Sequence, residues 1–488
     1  MNDKAFRKLN GKYYTSESIA NFMIKKLNIR YYRPFRLLEP AIGQGHIFIL
    51  IIEKFLKIHK NTDLALLKPL LEDSFVGFDI DSNSISTCKS KLNTLVLEKT
   101  GLLNVNWNIQ VINIIDNDSI KQLGLFDYII SNPPYVSRRN ITDEQTVNWL
   151  KSNSKFCDKF NFDLYYFFIE SAMNSWNRCG NVVVITPNSY LRASSAINMR
   201  NYLVENHLIQ EIIDFGDHLL FEDASTYTAI TVLKNNQRSF KIHHGEYKGK
   251  KIVIDRTKSS RIRDTSQFYS YDFNLREEFQ TLDQLCYISN GLATLNDSAF
   301  IIKESEILEK NDLYLTLIKK GKRYTLPRSY IKNVVRPSNP DSENYLIYPY
   351  KQDPQNQISN FDVEFEQIQL YFSDTLDEKF VEKYGYCLGR TQGLKFYEQP
   401  KIVLPKIALL TDDFTIINNS CYVLAGLYIV MKNNMNNLLP LILDYINSSS
   451  VKEYLSVVSK NYNSEYRSIS SSDLGKIKIP LHLIEQGE

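Results

Sequence analysis

Tyr128-Ile129-Ile130-Ser131-Asn132-Pro133-Pro134-Tyr135 reads as a short buried strand that stops on a polar turn stiffened by two prolines. The same rhythm runs through the first half of the chain. Short β-branched runs end on a polar or acidic residue and give way to a helical pattern, which predicts strands over 36–39, 75–79, 109–116, 126–132, 181–186, 209–215 and 226–233. Such alternation builds an α/β fold around a Rossmann-like, mainly parallel sheet, and open sheets of this kind bind ligands beyond the carboxyl ends of their strands. Strand-end residues are therefore where chemistry is expected.

The turn itself suits one task. An exocyclic amino group on a base is a poor nucleophile, because its lone pair is delocalised into the ring. The Asn132 side-chain oxygen and the Pro133 carbonyl can each accept one of its N–H bonds, which aims the lone pair at an electrophile. Pro133 and Pro134 remove competing N–H donors, and Tyr135 offers an aromatic face to a base taken out of its stack. A Pro-Pro turn that merely caps a strand would look the same in isolation; its place after a fourth strand favours a site.

Leu38-Glu39-Pro40-Ala41-Ile42-Gly43-Gln44-Gly45 ends the first strand in a glycine-containing turn that opens a helix, so the backbone can approach a ligand closely. The third glycine of a dinucleotide fingerprint would fall at Phe48, and no Gly-Lys-Ser/Thr follows for a P-loop. A nucleoside without a pyrophosphate fits better. Asp79 ends the second strand with a carboxylate suited to ribose hydroxyls, and Asp116 ends the third, where it could accept from an adenine amino group. Singly, either is as well explained as a helix cap.

In these motifs the chain resembles the γ-class amino methyltransferases of restriction–modification systems, the group of the TaqI and Eco57I adenine methylases. Tyr13-Tyr14-Thr15-Ser16 is similar to the family's opening Tyr-Tyr-Thr-Pro, with Ser16 in place of proline. The resemblance implies an S-adenosylmethionine cofactor held by Tyr14, Thr15, Glu39, Pro40, Ala41, Gly43, Gly45, Asp79, Ile80, Asp116 and Asn132. It implies catalysis by Asn132, Pro133, Pro134 and Tyr135 on N6 of an adenine flipped out of duplex DNA, with Tyr135 and Phe221 stacking on that base. Asn117 departs from the aromatic or apolar residue usual after the third-strand acid, so the wall for the cofactor adenine is expected from Ile80 or Leu164. Residues 288–294, 399–405 and 445–448 are similar to landmarks of the family's target-recognition domain. The expected division is therefore a catalytic domain over 1–238 and a mixed α+β target-recognition domain over 239–488, with one long helix over 438–458.

A net charge of +3 requires any DNA-binding surface to come from segregated patches. Arg138 and Arg139, next to the catalytic turn, are the preferred DNA contacts. The runs around Lys248–Arg263 and Lys319–Arg323 are each equally well read as solvated faces. The six cysteines show no metal-ligand spacing, and no apolar run is long enough for a membrane span, so a metal-free cytoplasmic enzyme is expected. None of the cysteines follows a proline, which removes cytosine C5 chemistry. N4-cytosine methylation and a non-catalytic DNA-binding specificity subunit remain as alternatives. The early start of the cofactor motif leaves a cognate restriction endonuclease to be a separate protein.

Overall fold

The computed structural model describes residues 15–159, 161–216, 218–221, 226–248, 251–260, 268, 278–350, 363–462 and 465–485. Two compact units divide at Tyr269/Ser270.

In the first unit, β1 (Leu37–Glu39) lies between β2 (Phe75–Asp79) and β4 (Tyr128–Ser131), parallel to both. With β3 (Asn108–Val111), β5 (Val182–Pro187), β6 (Ile209–Asp214), β7 (Thr228–Leu233), β8 (Phe240–Lys248) and β9 (Lys251–Ser260) they form a nine-stranded sheet of order β3-β2-β1-β4-β5-β7-β6-β8-β9. β7 runs antiparallel to both of its neighbours, β5 and β6.

Side-chain alternation explains why the central strands are apolar throughout: each must satisfy a core on both faces. Leu37, Ile130 and Val183 face one core with α1 (Glu17–Leu27), α2 (His46–Ile58), α3 (Leu64–Ser74) and α4 (Ser82–Thr100). Their neighbours Leu38, Ile129 and Val182 face the other, with α5 (Asn117–Gln122), α6 (Glu144–Asn153), α7 (Tyr165–Ser175) and α8 (Ile197–Glu205). The order reverses between β1 and β4, which leaves a crevice at their carboxyl ends.

Three expectations need adjustment. The third strand stops at Val111, because residues 112–116 leave the sheet in a turn in which Asp116 N donates to Asn113 O at 2.9 Å. The sheet also continues past the 238/239 division: β8 pairs in parallel with β6 and carries β9 as an antiparallel hairpin partner. Finally, the helix expected over 438–458 is two, Leu439–Ile446 and Ser449–Val458, because Ser448 caps the second by accepting from Val451 N at 3.4 Å.

The second unit is mixed α+β with cores of its own. One four-stranded sheet joins Cys286–Asn290, Gly426–Met431, Lys401–Pro405 and Thr415–Ile417; another joins Ile301–Lys303, Asn339–Ile347, Ile331–Arg336 and Tyr422–Val423. The landmark glycine Gly291 lies where a Cβ would come within 2.4 Å of Val423 O, so this position is backbone-on-backbone scaffold. Among the described residues, no helix is long and apolar enough to cross a membrane, and no group of three potential metal ligands occurs.

Candidate active site

The turn after β1 is fixed by its neighbour strand. Ile42 N donates to Phe78 O at 3.1 Å, and Gly43 N donates to Asp79 Oδ2 at 2.9 Å. The other carboxylate oxygen, Oδ1, accepts from Asp81 N at 3.0 Å, so Asp79 braces two loops at once. Gly45 sits at φ +78°, and a Cβ there would stand 2.5 Å from Cys88 Sγ; only glycine closes this turn onto α2 without displacing α4.

A cavity of about 510 Å³ opens over these strand ends, bordered by Thr15, Glu39, Pro40, Ala41, Gly43, Asp79, Ile80, Asn132 and Pro134. Its volume is within the usual range for small-ligand clefts, about 300–1,000 Å³. Leu164 and Phe168 supply apolar wall, as does Ile80, so both residues expected to stand in for the missing apolar wall border the cavity. The Asn117 side chain and Tyr14 lie outside the described residues.

Glu39 is the electrostatic anomaly. It is 2% exposed, and its Oε2 has no hydrogen-bond partner among the described residues. Burial first, and the nearby Asp79 charge second, hold its carboxyl well above the usual carboxylate range. An unsatisfied buried acceptor is costly unless something fills it, and here the cavity beside it admits a donor. A ligand carrying an ammonium group on a nucleoside frame fits this set: a buried acid for the cation, a tight glycine turn for close approach, and apolar walls for a ring.

Asp116 does not border the cavity. It is exposed and caps α5, accepting from Ser119 N at 3.1 Å and Ser119 Oγ at 2.6 Å, and these bonds hold its carboxyl below the usual range. The place at the end of β3 is taken by Asn113, with Ile112 and Ile114 beside it. Asn113 was missed because the apolar run continues to Ile115 and hides the true strand end.

At the end of β4, Asn132 Nδ2 donates to Thr15 Oγ1 at 3.0 Å. The chain beyond is strapped to the start of α7: Leu164 N donates to Val136 O at 2.8 Å and Arg138 N to Phe162 O at 2.9 Å. Tyr135 Oη donates to Ile185 O at 3.3 Å, and its ring meets Phe221 edge to face, 6.3 Å between centroids at 68°. The two rings expected to hold a base are thus together, but they contact each other; a base sandwiched between parallel faces needs them about 7 Å apart, twice a carbon contact distance.

Sequence reading also missed the support of Phe221. Asp214, at the end of β6 and 4% exposed, accepts from Asn188 Nδ2 at 2.8 Å and from Gly216 N at 3.0 Å, and Asn188 Nδ2 also reaches Gly216 O at 3.0 Å. This knot fixes the turn from which the Phe221 segment departs. Its signal was Asn188, another strand-end amide.

Of the basic candidates, Arg138 stands 3.5 Å from Glu144 and Arg139 is exposed. Lys248 pairs with Glu246 in the β8–β9 hairpin; residues 250, 261 and 263 and the side chains of 256 and 258 lie outside the described residues. In the second unit, Lys319 is buried against Glu306 at 2.7 Å, so it is not part of a solvated face, and Lys322 pairs with Asp374 at 3.1 Å.

Comparison with known proteins agrees with this geometry. Residues 73–221 match the model of the Eco57I restriction-modification methylase, and residues 347–481 that of the TaqI-like C-terminal specificity domain. The Type II methyltransferase M.BanIII of Aneurinibacillus aneurinilyticus is 23% identical over 60% of this chain and 58% of its own length. The Type II restriction enzyme and methyltransferase RM.Eco57I of Escherichia coli is 22% identical over 56% of this chain and 32% of its own. The matches thus span less than two thirds of these relatives. The solved structure of the Type IIL restriction-modification enzyme MmeI in complex with DNA shares the fold at a TM-score of 0.62 and 14% identity, over 97% of this chain and 69% of that one. The matched regions make the chain similar to the γ-type restriction–modification methylases. Its particular make-up is an Eco57I-type methylase region followed by a TaqI-like specificity region.

Proposed function

We propose that the protein is a site-specific DNA methyltransferase that transfers a methyl group from S-adenosylmethionine to N6 of an adenine turned out of the duplex. We further propose that the second compact unit, residues 270–488, reads the target. The observation that carries this reading is the adjacency of Asn132 and the unsatisfied Glu39 carboxyl on one cavity at the strand ends.

When bound, the cofactor would supply an electrophilic methyl carbon, with the electron pair of the broken sulfur–methyl bond remaining on a neutral thioether as leaving group. Glu39 would hold its ammonium group as a carboxylate, Asp79 and Asn113 would border its nucleoside part, and Ile80 and Leu164 would exclude water from its ring. Asn132 Oδ1 and the Pro133 carbonyl accept the two N–H bonds of the target amine. They favour its tetrahedral geometry and stabilise the positive charge that grows on nitrogen as the new bond forms. The surplus proton leaves that nitrogen for water. Tyr135 and Phe221 part to admit the base and stack on its two faces. Arg138 and Arg139 contribute phosphate contacts, which give affinity without sequence information.

The deciding experiment follows labelled methyl from S-adenosylmethionine into unmethylated DNA, RNA and bulk protein, with Asn132→Ala as control and chromatography of the digested product. Label recovered as N6-methyladenine and lost in the control is the expected result. N4-methylcytosine would move the target base, label on RNA or protein alone would overturn the DNA substrate, and a folded protein that binds no cofactor would be a specificity subunit.

A further inference from the structure

Asn132 works only one way round. Its amide has an acceptor end and a donor end of nearly the same shape, and a half-turn about χ2 exchanges them. With the donor end toward the target, an N–H would face an N–H, and the amine would be repelled instead of polarised. Something must hold the amide in register.

We infer that Thr15 is the positioning residue that sets the Asn132 amide. The inference rests on the methyl-transfer reading above. Asn132 Nδ2 donates to Thr15 Oγ1 at 3.0 Å, so the end turned away from Thr15 is Oδ1, the acceptor. Thr15 is itself well placed to act as a reference point. It is 8% exposed and directly precedes the capping residue of α1, whose Ile19, Ala20, Met23 and Leu27 are fully buried in the core. The start of that helix is pinned by Ser18 Oγ to Tyr247 Oη at 2.7 Å, and its end by Asn181 Nδ2 donating to Lys26 O at 3.0 Å.

A hydroxyl can donate as well as accept, so the bond alone does not fix the amide unless the Thr15 proton is used elsewhere. Thr15 borders the cavity, and among the described residues its Oγ1 has Asn132 as its one partner. The Thr15 hydroxyl would donate to an anionic group of the ligand, such as the carboxylate that accompanies the ammonium assigned to Glu39. Only lone pairs are then left toward Asn132. The catalytic amide is thereby locked in its productive orientation when the cofactor site is filled.

Thr15→Val keeps the shape of the side chain and removes the hydroxyl; Thr15→Ser keeps the hydroxyl. Both are compared with wild type by thermal melting, by calorimetric binding of S-adenosylmethionine, and by the single-turnover rate of methyl transfer to unmethylated plasmid DNA at saturating cofactor. Thr15→Val is expected to slow single-turnover transfer at saturating cofactor by about tenfold or more, the size of one hydrogen bond to a catalytic group, and also to raise the cofactor dissociation constant by about ten- to a hundredfold, an effect that saturation removes from the rate. Thr15→Ser is expected to recover most of the rate. A wild-type rate in Thr15→Val at saturating cofactor, or a loss confined to cofactor affinity or to melting temperature, overturns the positioning role. A wild-type protein that labels no DNA overturns the methyl-transfer reading and this inference with it.

Discussion

Replacing Glu39 by Gln tests the electrostatics of the cavity. In the ligand-free protein burial holds the Glu39 carboxyl well above its ordinary range, so it is largely protonated in mildly acidic solution, and Gln is close in shape and charge to that neutral acid. The substitution should therefore leave the empty fold intact. Binding is different, because the bound ammonium needs the ionised carboxylate. A hydrogen bond to a charged group contributes about 1.5–3 kcal/mol, which corresponds to a cofactor dissociation constant raised about ten- to a hundredfold in Glu39→Gln. The sign of the pH effect follows. The free-state pKa is raised and the bound cation lowers it, so binding releases a proton, and wild-type affinity rises with pH until the free-state pKa is passed. In Glu39→Gln that slope is gone. Calorimetric titration of S-adenosylmethionine from pH 5.5 to 8.5, in buffers of different ionisation enthalpy, reads affinity and proton release together. Equal affinity in the two proteins, or a wild-type profile flat in pH with no proton released, would refute the assignment of the ammonium to Glu39.

The same raised pKa makes ionisation of Glu39 work against the empty fold, so ligand-free wild type should lose stability as pH rises from the ordinary carboxylate range through the folded-state pKa; melting curves of Glu39→Gln should lack that component. Asp116→Ala should alter cofactor affinity by less than about threefold, as for a surface residue, whereas Asn113→Ala should weaken it by about fivefold, the size of one ordinary hydrogen bond, in the same calorimetric assay. Gly45→Ala should destabilise the first unit by about 2–5 kcal/mol in urea unfolding, from a left-handed alanine plus the displaced Cys88. Phe221→Ala should leave cofactor binding unchanged and slow transfer to DNA by about five- to a hundredfold, since stacking contributes about 1–3 kcal/mol per base; an equal loss in cofactor affinity would show that the ring supports the fold instead.

The central sheet was legible because buried parallel strands must be apolar on both faces, and runs such as Tyr128-Ile129-Ile130 and Val182-Val183-Val184 have few alternatives. The turns after β1 and β4 were legible because Gly45 permits a left-handed turn that other residues avoid and the Pro133-Pro134 pair restricts the backbone on its own account. Where hydrophobicity outlasted the strand, the reading overshot: Ile112, Ile114 and Ile115 carry it past Val111, and the cavity position fell to Asn113 when Asp116 was expected. The β8–β9 hairpin was passed over because an edge hairpin interleaves polar residues such as Lys241 and Glu246 with apolar ones and lacks the βα rhythm. Pairings distant in sequence, such as Thr15 with Asn132 or Asn188 with Asp214, leave no local trace, because each partner is an unremarkable polar residue in its own segment.

The edge-to-face contact of Tyr135 with Phe221 has a bearing on selectivity. Parting such a pair costs about 0.5–1.5 kcal/mol, which subtracts from what stacking on the incoming base returns. A loose nucleobase in solution thus forfeits about half of what stacking returns, and it has no other contact to offset the loss. A base delivered on a backbone already gripped elsewhere meets the same cost, but phosphate contacts made outside the cavity offset it. The mutual contact of the two rings therefore acts as a stopper that free nucleotides rarely draw, and it keeps aromatic surface out of water between encounters with the duplex.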